Sequence, residues 1–456
     1  MRLRVAALLW WSCISSLLLA QQPVQEPGNS PVEMLRIVQI DDSLLSQFID
    51  DRNMDDEREP LLRVLFRLPA FSQVDLDRWT KTTIDWPKIT DTPALARFEV
   101  LEIRGRVQNI AKQTVLPELT QRLGFSEYFQ LIVSHDNTTS IVFVRNLPVH
   151  WISAMANGSE IQESVRIQGL LLKRNGRTLL FAAKHVGWFP DRPSEELHVS
   201  SDLVMLSQLG VDTSRLTDIQ HRASMKGGDR ESFYQLIAAV HHSESTQFAK
   251  LGRREFEISR MIKTPQNVVG ELYTLHGLAR RAVRINVDDA DIRERFGIDH
   301  YWEIEVFLPM EKPVRFVDEQ NAEGKVFNDY PFVVCVPELP TNMETGDDIR
   351  VPISFSGFFF KLWAYRTQFM EEMQTANAKP AMQLSPLLIG PTVVPDVAPP
   401  AESQVSLIIA GVFTGCLLLI WFLLWRASIQ DRKRSKSLFE KNLPSDASFE
   451  NLTKND

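Results

Sequence analysis

Cysteine is almost absent from this sequence, which has only three in 456 residues. Cys13 and Cys416 lie in apolar segments near the two ends, so Cys335 alone remains in the large polar part of the chain. A single cysteine cannot form an intramolecular disulfide. An exported protein of this kind must rely on apolar cores, and an apolar share of 44% provides the material for them.

An excess of basic residues is lacking too. Lys and Arg number 50 against 58 Asp and Glu, which gives a formal net charge of −8. Both ends of the chain are basic, so the part between them is more acidic still. Sequence-independent affinity for nucleic acid needs many Lys and Arg side chains on phosphates. The composition therefore predicts no nucleic-acid partner.

Catalytic and metal-binding signatures are missing as well. The sequence contains no nucleophile elbow, phosphate-binding loop, dinucleotide fingerprint or zinc-binding helix motif. Neighbouring residues of a helix point in different directions, so His241 and His242 do not chelate well together. The charged run at 50–59 lacks EF-hand spacing and is interpreted as a solvated loop. We predict no catalytic residue, no metal ligand and no cofactor.

Two apolar segments stand near the ends of the chain. Arg2 and Arg4 precede the first, and residues 1–20 are interpreted as a signal peptide, with an uncleaved anchor as the alternative. Residues 405–425 carry no charge and, at about 1.5 Å per residue, are long enough to cross a bilayer. Basic residues follow at once. This predicts a single-pass cell-membrane protein with a cytoplasmic tail at 426–456 and an extracytoplasmic bulk.

Two further features lie in and beside the segment 405–425: a pair of glycines within it and a proline-rich stretch before it. Gly411 and Gly415 are four residues apart, a spacing that lets two membrane helices approach closely. One interpretation is a homodimer through this helix face, and ordinary glycine content is the alternative. Residues 391–404 are rich in proline and are interpreted as an extended stalk.

The part between the two apolar segments repeats itself. Short matches recur in the same order at a nearly constant offset, and the offset grows after insertions near 310–329 and 363–380. The sequence therefore predicts two repeat units, 34–192 and 205–394. The clearest matches pair LEIRG at Leu101–Gly105 with YTLHG at Tyr273–Gly277, YFQL at Tyr128–Leu131 with YWEI at Tyr301–Ile304, and GLLLK at Gly169–Lys173 with GFFFK at Gly357–Lys361.

Each unit begins with apolar residues at helical spacing and continues with strands. A short helix is predicted at 149–162, and Asn175-Gly176 predicts a hairpin turn. The extra residues 310–329 of the second unit are polar and predict a longer loop. Strands of the first unit are predicted at 98–110, 127–135, 139–147, 164–174 and 178–188.

Five strands with a helix between the third and fourth resemble the OB fold, the oligonucleotide/oligosaccharide-binding barrel. Gly105 and Gly277 in the first strands, and Gly169 and Gly357 in the fourth, stand where a small barrel bends at its corners. The resemblance implies an α+β fold, an internal duplication of a helical lead-in plus a small five-stranded OB-like β-barrel, followed by one transmembrane helix. Another small barrel or a sandwich would leave a similar pattern. The whole chain also resembles single-span bacterial envelope proteins, which implies no chemistry.

OB barrels bind ligands by stacking them on exposed aromatic rings. Tyr128 and Tyr301 share one face of the second strands and are the candidate binding-face residues, with packing in a core or interface as the alternative. We expect a non-enzymatic, membrane-anchored interaction or scaffold protein whose two modules bind a partner protein. The alternatives are a receptor for an envelope glycan or polymer, and an enzyme of unrecognised type.

Overall fold

The computed structural model of the protein describes residues 30–54, 58–136, 138–241, 243, 245–253, 258–318, 321–365, 382–396, 411–427 and 429. The predicted signal peptide at 1–20 lies outside these residues, as does nearly all of the predicted tail at 426–456. Residues up to Pro395 belong to one compact unit, which contains both predicted repeats.

The first module, residues 30–188, begins with short helices. Ser30, Asp41, Ser72 and Asp85 each accept a hydrogen bond from a backbone N–H near the start of the following helix. Such caps satisfy N–H groups that have no partner inside the helix, so each helix has a defined start. The helices are α1 (Pro31–Ile37), α2 (Asp42–Leu45), α3 (Arg58–Arg67), α4 (Gln73–Trp79) and α5 (Trp86–Asp91).

A six-stranded sheet follows, in the order β1-β2-β3-β5-β4-β6 with an additional pairing between β1 and β4. Only the β3–β5 pair is parallel. The first half of β1 pairs with β4 and the second half with β2. The elements are β1 (Val100–Thr114), α6 (Pro117–Leu123), β2 (Glu127–His135), β3 (Thr138–Val144), α7 (Val149–Ala156), β4 (Ser164–Asn175), β5 (Thr178–Ala183) and β6 (Gly187–Trp188).

The second module, residues 201–395, repeats this arrangement. Its sheet has the order β11-β9-β8-β7-β10-β12 with an additional pairing between β10 and β11, and β9–β11 is its parallel pair. The predicted α+β class and the duplication are confirmed. The elements are α8 (Ser201–Gln208), α9 (Gly227–His241), α10 (Ser245–Leu251), α11 (Ile258–Lys263), β7 (Leu272–Asn286), α12 (Ala290–Phe296), β8 (His300–Asp318), β9 (Asn321–Val336), β10 (Val351–Tyr365), β11 (Gln383–Ile389) and β12 (Val393–Pro395).

Several predicted boundaries are wrong. The expected loop at 310–329 is a hairpin extension, because β8 and β9 continue to pair there. Polar composition alone therefore does not distinguish a loop from a paired hairpin here. Residues 337–350, all described, contain no helix where the first module has α7. Val393–Pro395 pairs with β10, so the predicted stalk at 391–404 starts too early.

The C-terminal unit is described only in part. Residues 411–427 are helical, whereas 405–410 lie outside the described residues. Within the residues described, no helix is both long enough and apolar enough to cross a membrane. The transmembrane helix is therefore not found there and stays a prediction. Gly411 and Gly415 lie in this helix, where an added Cβ would meet no described heavy atom within 4 Å. Dimerisation through them also stays a prediction.

The strand glycines lie where strands exchange neighbours. β7 passes from β10 to β8 next to Gly277, and a Cβ there would lie 2.8 Å from the carbonyl oxygen of Phe307. β10 passes from β7 to β11 next to Gly357, where a Cβ would lie 2.6 Å from the carbonyl oxygen of Ile389. Any larger residue would push the strands apart at these corners.

Each sheet has buried side chains on both of its faces. On β5, Leu179 and Phe181 point into a core enclosed by the strands, whereas Leu180 and Ala182 pack against the helices. The same alternation on β9 and β10 gives the second module two cores. Alternate side chains of a strand point to opposite faces, so the two cores share the same strands.

A buried lysine ties the helices to the sheet in each module. Lys173 and Lys361 are both 0% exposed and occupy matching positions on β4 and β10, directly after a bulge. The Lys173 ammonium donates to the carbonyl oxygen of Arg52 at 2.8 Å. The Lys361 ammonium donates to the carboxylate of Asp229, in the first turn of α9, at 2.7 Å. The first interaction attaches the loop between α2 and α3 to the fourth strand of its module, and the second attaches helix α9.

Replacing Lys361 with methionine should destabilise the protein strongly. Asp229 is only 1% exposed and would be left as a buried charge without its cation. Breaking such a pair costs about 3–5 kcal/mol of unfolding free energy. Chemical unfolding of the full chain in detergent measures the loss, with Lys88→Met, at an exposed residue of α5, as the control. An effect no larger than that of the control would contradict this account.

Candidate functional site

The two predicted binding-face tyrosines have different surroundings. Tyr128 is 4% exposed, and its ring lies 6.3 Å from that of Phe143 in the core between sheet and helices. It offers no open face for stacking, so the expectation of a binding face is wrong for Tyr128, and the alternative of core packing describes it. Tyr301, at the matching position on β8, lies in the wall of a cavity.

The cavity beside Tyr301, here called the Tyr301 pocket, has a volume of about 270 Å³. Its floor is apolar, because the lining residues Phe233 and Cys335 are buried. Its sides include the half-buried rings of Tyr234, Tyr301 and Trp363. Strands β8, β9 and β10 and helix α9 together position these groups. The pocket therefore lies on the outer face of the sheet, where the helices cover it.

The second module has this pocket because it lacks an aromatic side chain that fills the matching space in the first module. In the first module, Phe143 on β3 stands opposite Gln130 on β2. The same register in the second module sets Cys335 on β9 opposite Glu303 on β8. Phe143 fills the space beside Tyr128, whereas the smaller Cys335 leaves space beside the second tyrosine. The change from glutamine to glutamate also places a carboxylate on the wall.

Around Glu303, carboxylates outnumber the cations that pair with them. One guanidinium, that of Arg281, lies 3.2 Å from the carboxylate of Glu303, 3.7 Å from that of Glu305 and 3.0 Å from that of Asp347. Burial raises the pKa of Glu303, and the nearby Arg281 opposes this effect. Burial raises the pKa of Glu305 in the same way. Three carboxylates thus share one cation beside the pocket.

Among the other polar groups of the pocket, Arg230 has a partner and the Cys335 thiol is not activated, whereas the buried Nε1 of Trp363 has no hydrogen-bond partner among the described residues. Arg230 pairs with Asp289, and its guanidinium lies 5.9 Å from the centre of the Tyr234 ring. Burial raises the pKa of the Cys335 thiol well above its ordinary value, and the Glu303 carboxylate adds to the shift. A thiol that stays protonated is a poor nucleophile. The Cys335 thiol is therefore not activated for nucleophilic attack.

A second cavity, of about 200 Å³, lies between the two modules. We call the contact region between the two modules the joint. Arg295 on α12 links the modules there: its Nε lies 2.5 Å from Asp77 on α4, and its Nη1 lies 3.0 Å from Glu231 on α9. The acidic and basic side chains that line this cavity are equal in number, so we interpret the cavity as part of the joint. Its charged lining consists of Asp77, Glu102, Asp212 and Glu231 with Arg166, Lys184, Arg215 and Arg295, and it also includes His185.

Asp212 is the centre of the joint. Its buried carboxylate accepts hydrogen bonds from Nε2 of His185 at 2.7 Å and from the backbone N–H of Trp188 at 2.9 Å, both from the first module. Burial alone would raise the pKa of Asp212, but the hydrogen bond with His185, the charge of Arg215 and the hydrogen bond with Ser214 lower it to about 2. The carboxylate therefore stays ionised at neutral pH and holds the modules together.

Asp212, His185 and Ser214 have the residue types of a catalytic triad but not its geometry. In a triad the carboxylate binds one imidazole nitrogen and the hydroxyl binds the other. Here the carboxylate and the hydroxyl both contact Nε2 of His185, at 2.7 and 3.1 Å. The Ser214 hydroxyl donates its proton to Asp212 at 2.6 Å. The imidazole is thus not placed to activate the hydroxyl, and this cluster is not a nucleophile.

Metal ligation has no obvious place in the described part of the chain. No group of three or more His, Cys, Asp or Glu side chains there could hold a metal ion. The absence of a metal and of a cofactor stays a prediction.

No protein-family model matches the chain, and no curated protein does. Among solved structures it is similar to a small single-stranded DNA-binding protein from Streptomyces coelicolor, with a TM-score of 0.14 and 10% identity over 28% of this chain and 92% of that one. It is also similar to the Ifi202 HINa domain in complex with 20bp dsDNA, with a TM-score of 0.14 and 8% identity over 64% of this chain and 95% of that one. Likenesses this low carry no argument.

Replacing Asp212 with asparagine should loosen the joint. The neutral side chain cannot match the charged hydrogen bonds to His185 and Arg215, and we expect a loss of about 2–4 kcal/mol in unfolding free energy at pH 7. The matched control is Asp41→Asn, because Asp41 is the equivalent residue of the first module and caps α2 in solvent. Asparagine also caps helices, so this control should change stability little. Equal losses in the two variants would contradict the assignment.

The contribution of Asp212 should also depend on pH. Its pKa is lowered in the folded protein from 3.8 to about 2. Stabilisation by a group with a depressed pKa is complete above its unfolded pKa and is lost as the pH falls through the folded pKa. The difference in stability between wild type and Asp212→Asn should therefore shrink between about pH 4 and pH 2. Unfolding of both proteins across this range measures it, and a constant difference would count against the ionised carboxylate.

Proposed function

We propose that the protein is a non-enzymatic, membrane-anchored interaction or scaffold protein with two OB-like β-barrels. In the first module the pairings β1–β2, β2–β3, β3–β5, β5–β4 and β4–β1 form a closed ring. The second module has the same ring of pairings. Such closure leaves no unpaired edge within the five strands, and it supports the barrel interpretation. The proposed anchor is the segment 405–425, with the two modules outside the cytoplasm.

One observation carries this proposal: the two copies differ at the pocket. The first module is packed with Phe143, whereas the second has Cys335 and a cavity of about 270 Å³. Cavities beside a core lower stability, because the lining atoms lose contacts. A module that served only as a spacer would gain nothing from such a space. We therefore infer that a partner inserts a group beside Tyr301.

The joint supports the scaffold part of the proposal. Asp212 and Arg295 link the modules through several charge-assisted hydrogen bonds, which are stronger than neutral ones. A partner bound in the second module would then have a fixed orientation relative to the first. Two rigid modules on one anchor offer an extended contact surface to a partner.

Filling the pocket should abolish partner capture. Cys335→Phe restores the ring that the first module carries, and it should keep or raise the unfolding temperature. We expect tagged wild-type protein, extracted from membranes in mild detergent, to retain a partner protein that Cys335→Phe loses. The control is Ile152→Ala, at a residue that is 45% exposed on α7 of the first module. A partner retained in full by folded Cys335→Phe, or no reproducible partner for wild type, would overturn the proposal.

A glycan receptor is the second candidate, and the rings of Tyr301 and Trp363 favour it. Sugars bind to protein by stacking on such aromatic side chains with polar groups at the rim. In that case a glycan array should show binding by wild type that Tyr301→Ala loses and Ile152→Ala keeps. Binding that survives in Tyr301→Ala, or no binding at all, would remove this candidate. An enzyme of unrecognised type would need polar groups that converge on a reacting atom, and the His185 cluster does not supply them.

A further inference from the structure

We propose that the Tyr301 pocket binds an aliphatic ammonium group, carried either by a lysine side chain of the partner or by a small amine. This inference rests on the proposed function, because it names what the pocket accepts. It also goes beyond that function, because a partner could insert an apolar or an anionic group instead.

The first argument is the combination of aromatic walls and an apolar floor. The rings of Phe233, Tyr234 and Tyr301 pack edge to face, with centroids 5.2 to 6.4 Å apart. Trp363 completes the wall, and its ring centroid lies 4.7 Å from that of Tyr365. Aromatic rings attract cations, and the attraction is larger where water is excluded. The apolar floor suits the methylene chain that carries an ammonium group.

The second argument is charge. Glu303 stands on the pocket wall with a side chain only 16% exposed, and its Arg281 partner is shared with two further carboxylates. A buried carboxylate is stabilised by an additional cation within hydrogen-bonding distance. An ammonium group in the pocket would supply that cation and would donate directly to Glu303.

The same charges argue against an anionic ligand. An anion would approach Glu303, and the two nearby guanidinium groups already have partners: Arg230 pairs with Asp289, and Arg281 binds three carboxylates. A neutral apolar ligand would fill the floor but would leave the surplus of negative charge unchanged. The cation is the ligand that uses both features of the pocket.

The first module provides an internal comparison. Its matching residues are Gln130 and Phe143, so it has neither the carboxylate nor the space. The copies differ at two facing positions of the same wall. Cys335 in place of Phe143 opens the pocket, and Glu303 in place of Gln130 adds a carboxylate to it. Each difference can be reversed by installing the residue of the other copy. Glu303→Gln removes the charge and keeps the shape, and Cys335→Phe removes the space.

Binding of n-butylammonium chloride to the full chain in detergent tests the inference, with saturation-transfer NMR as the readout because it detects weak binding. n-Butanol and sodium butyrate are the neutral and anionic probes of similar shape. We expect wild type to bind the ammonium probe at least about tenfold more tightly than n-butanol, with no binding of butyrate. Glu303→Gln should remove this preference, and Cys335→Phe should remove binding altogether. The control is Glu127→Gln at the start of β2 in the first module, where the carboxylate pairs with Lys112 and its side chain is 44% exposed.

A second arm distinguishes the two sources of the ammonium group. A lysine-containing peptide that binds more tightly than n-butylammonium, and loses this advantage when its lysine is acetylated, indicates a partner side chain. The reverse order indicates a small amine. Equal binding of n-butanol and n-butylammonium, or undiminished binding by folded Glu303→Gln, would overturn the inference. The proposed function would still stand if Cys335→Phe lost its partner, and it would fail separately if that variant kept it.

Discussion

A buried ammonium group on the fourth strand fixes the position of the helices in each module. Lys173 and Lys361 have no exposed surface, so their charges must be satisfied inside the protein, by main-chain oxygens of the segment before α3 and by Asp229 of α9. These contacts hold the helices on the outer face of the sheet. That face is therefore largely buried, and the space beside a residue on it depends on how well the helices fill it.

Much of the fold could be predicted because the duplication repeats local signals. The segment 127–135 was predicted as a strand and is one, and the paired glycines lie at the corners where strands exchange neighbours. The buried outer face was harder to foresee, since a strand buried on both sides loses its alternation and reads as a continuous apolar run. Helix α6 was missed although Pro117 at its start and Gly124, with φ of 73°, at its end are the usual signals.

The site was only half predictable. Tyr128 and Tyr301 do share the helix-covered face of their strands, but whether that face is open depends on residues distant in sequence. Phe143 and Cys335 correspond only through strand register, because the hairpin extension of the second module displaces one from the other along the chain. The joint could not be predicted from the sequence. His185, the partner of Asp212, comes from the other module, and a sequence does not show which modules touch.

The pocket and the joint meet on one helix. On α9, Phe233 and Tyr234 line the Tyr301 pocket, whereas Glu231 binds Arg295 and Gln235 accepts a hydrogen bond from the backbone N–H of Asp212 at 3.3 Å. A helix moves as a rigid element, so a displacement forced on it by a group in the pocket must also displace its contacts at the joint. Lys361 resists such a displacement by holding the first turn of α9 to the sheet. The proposed binding pocket and the contacts that orient the modules thus lie on the same element.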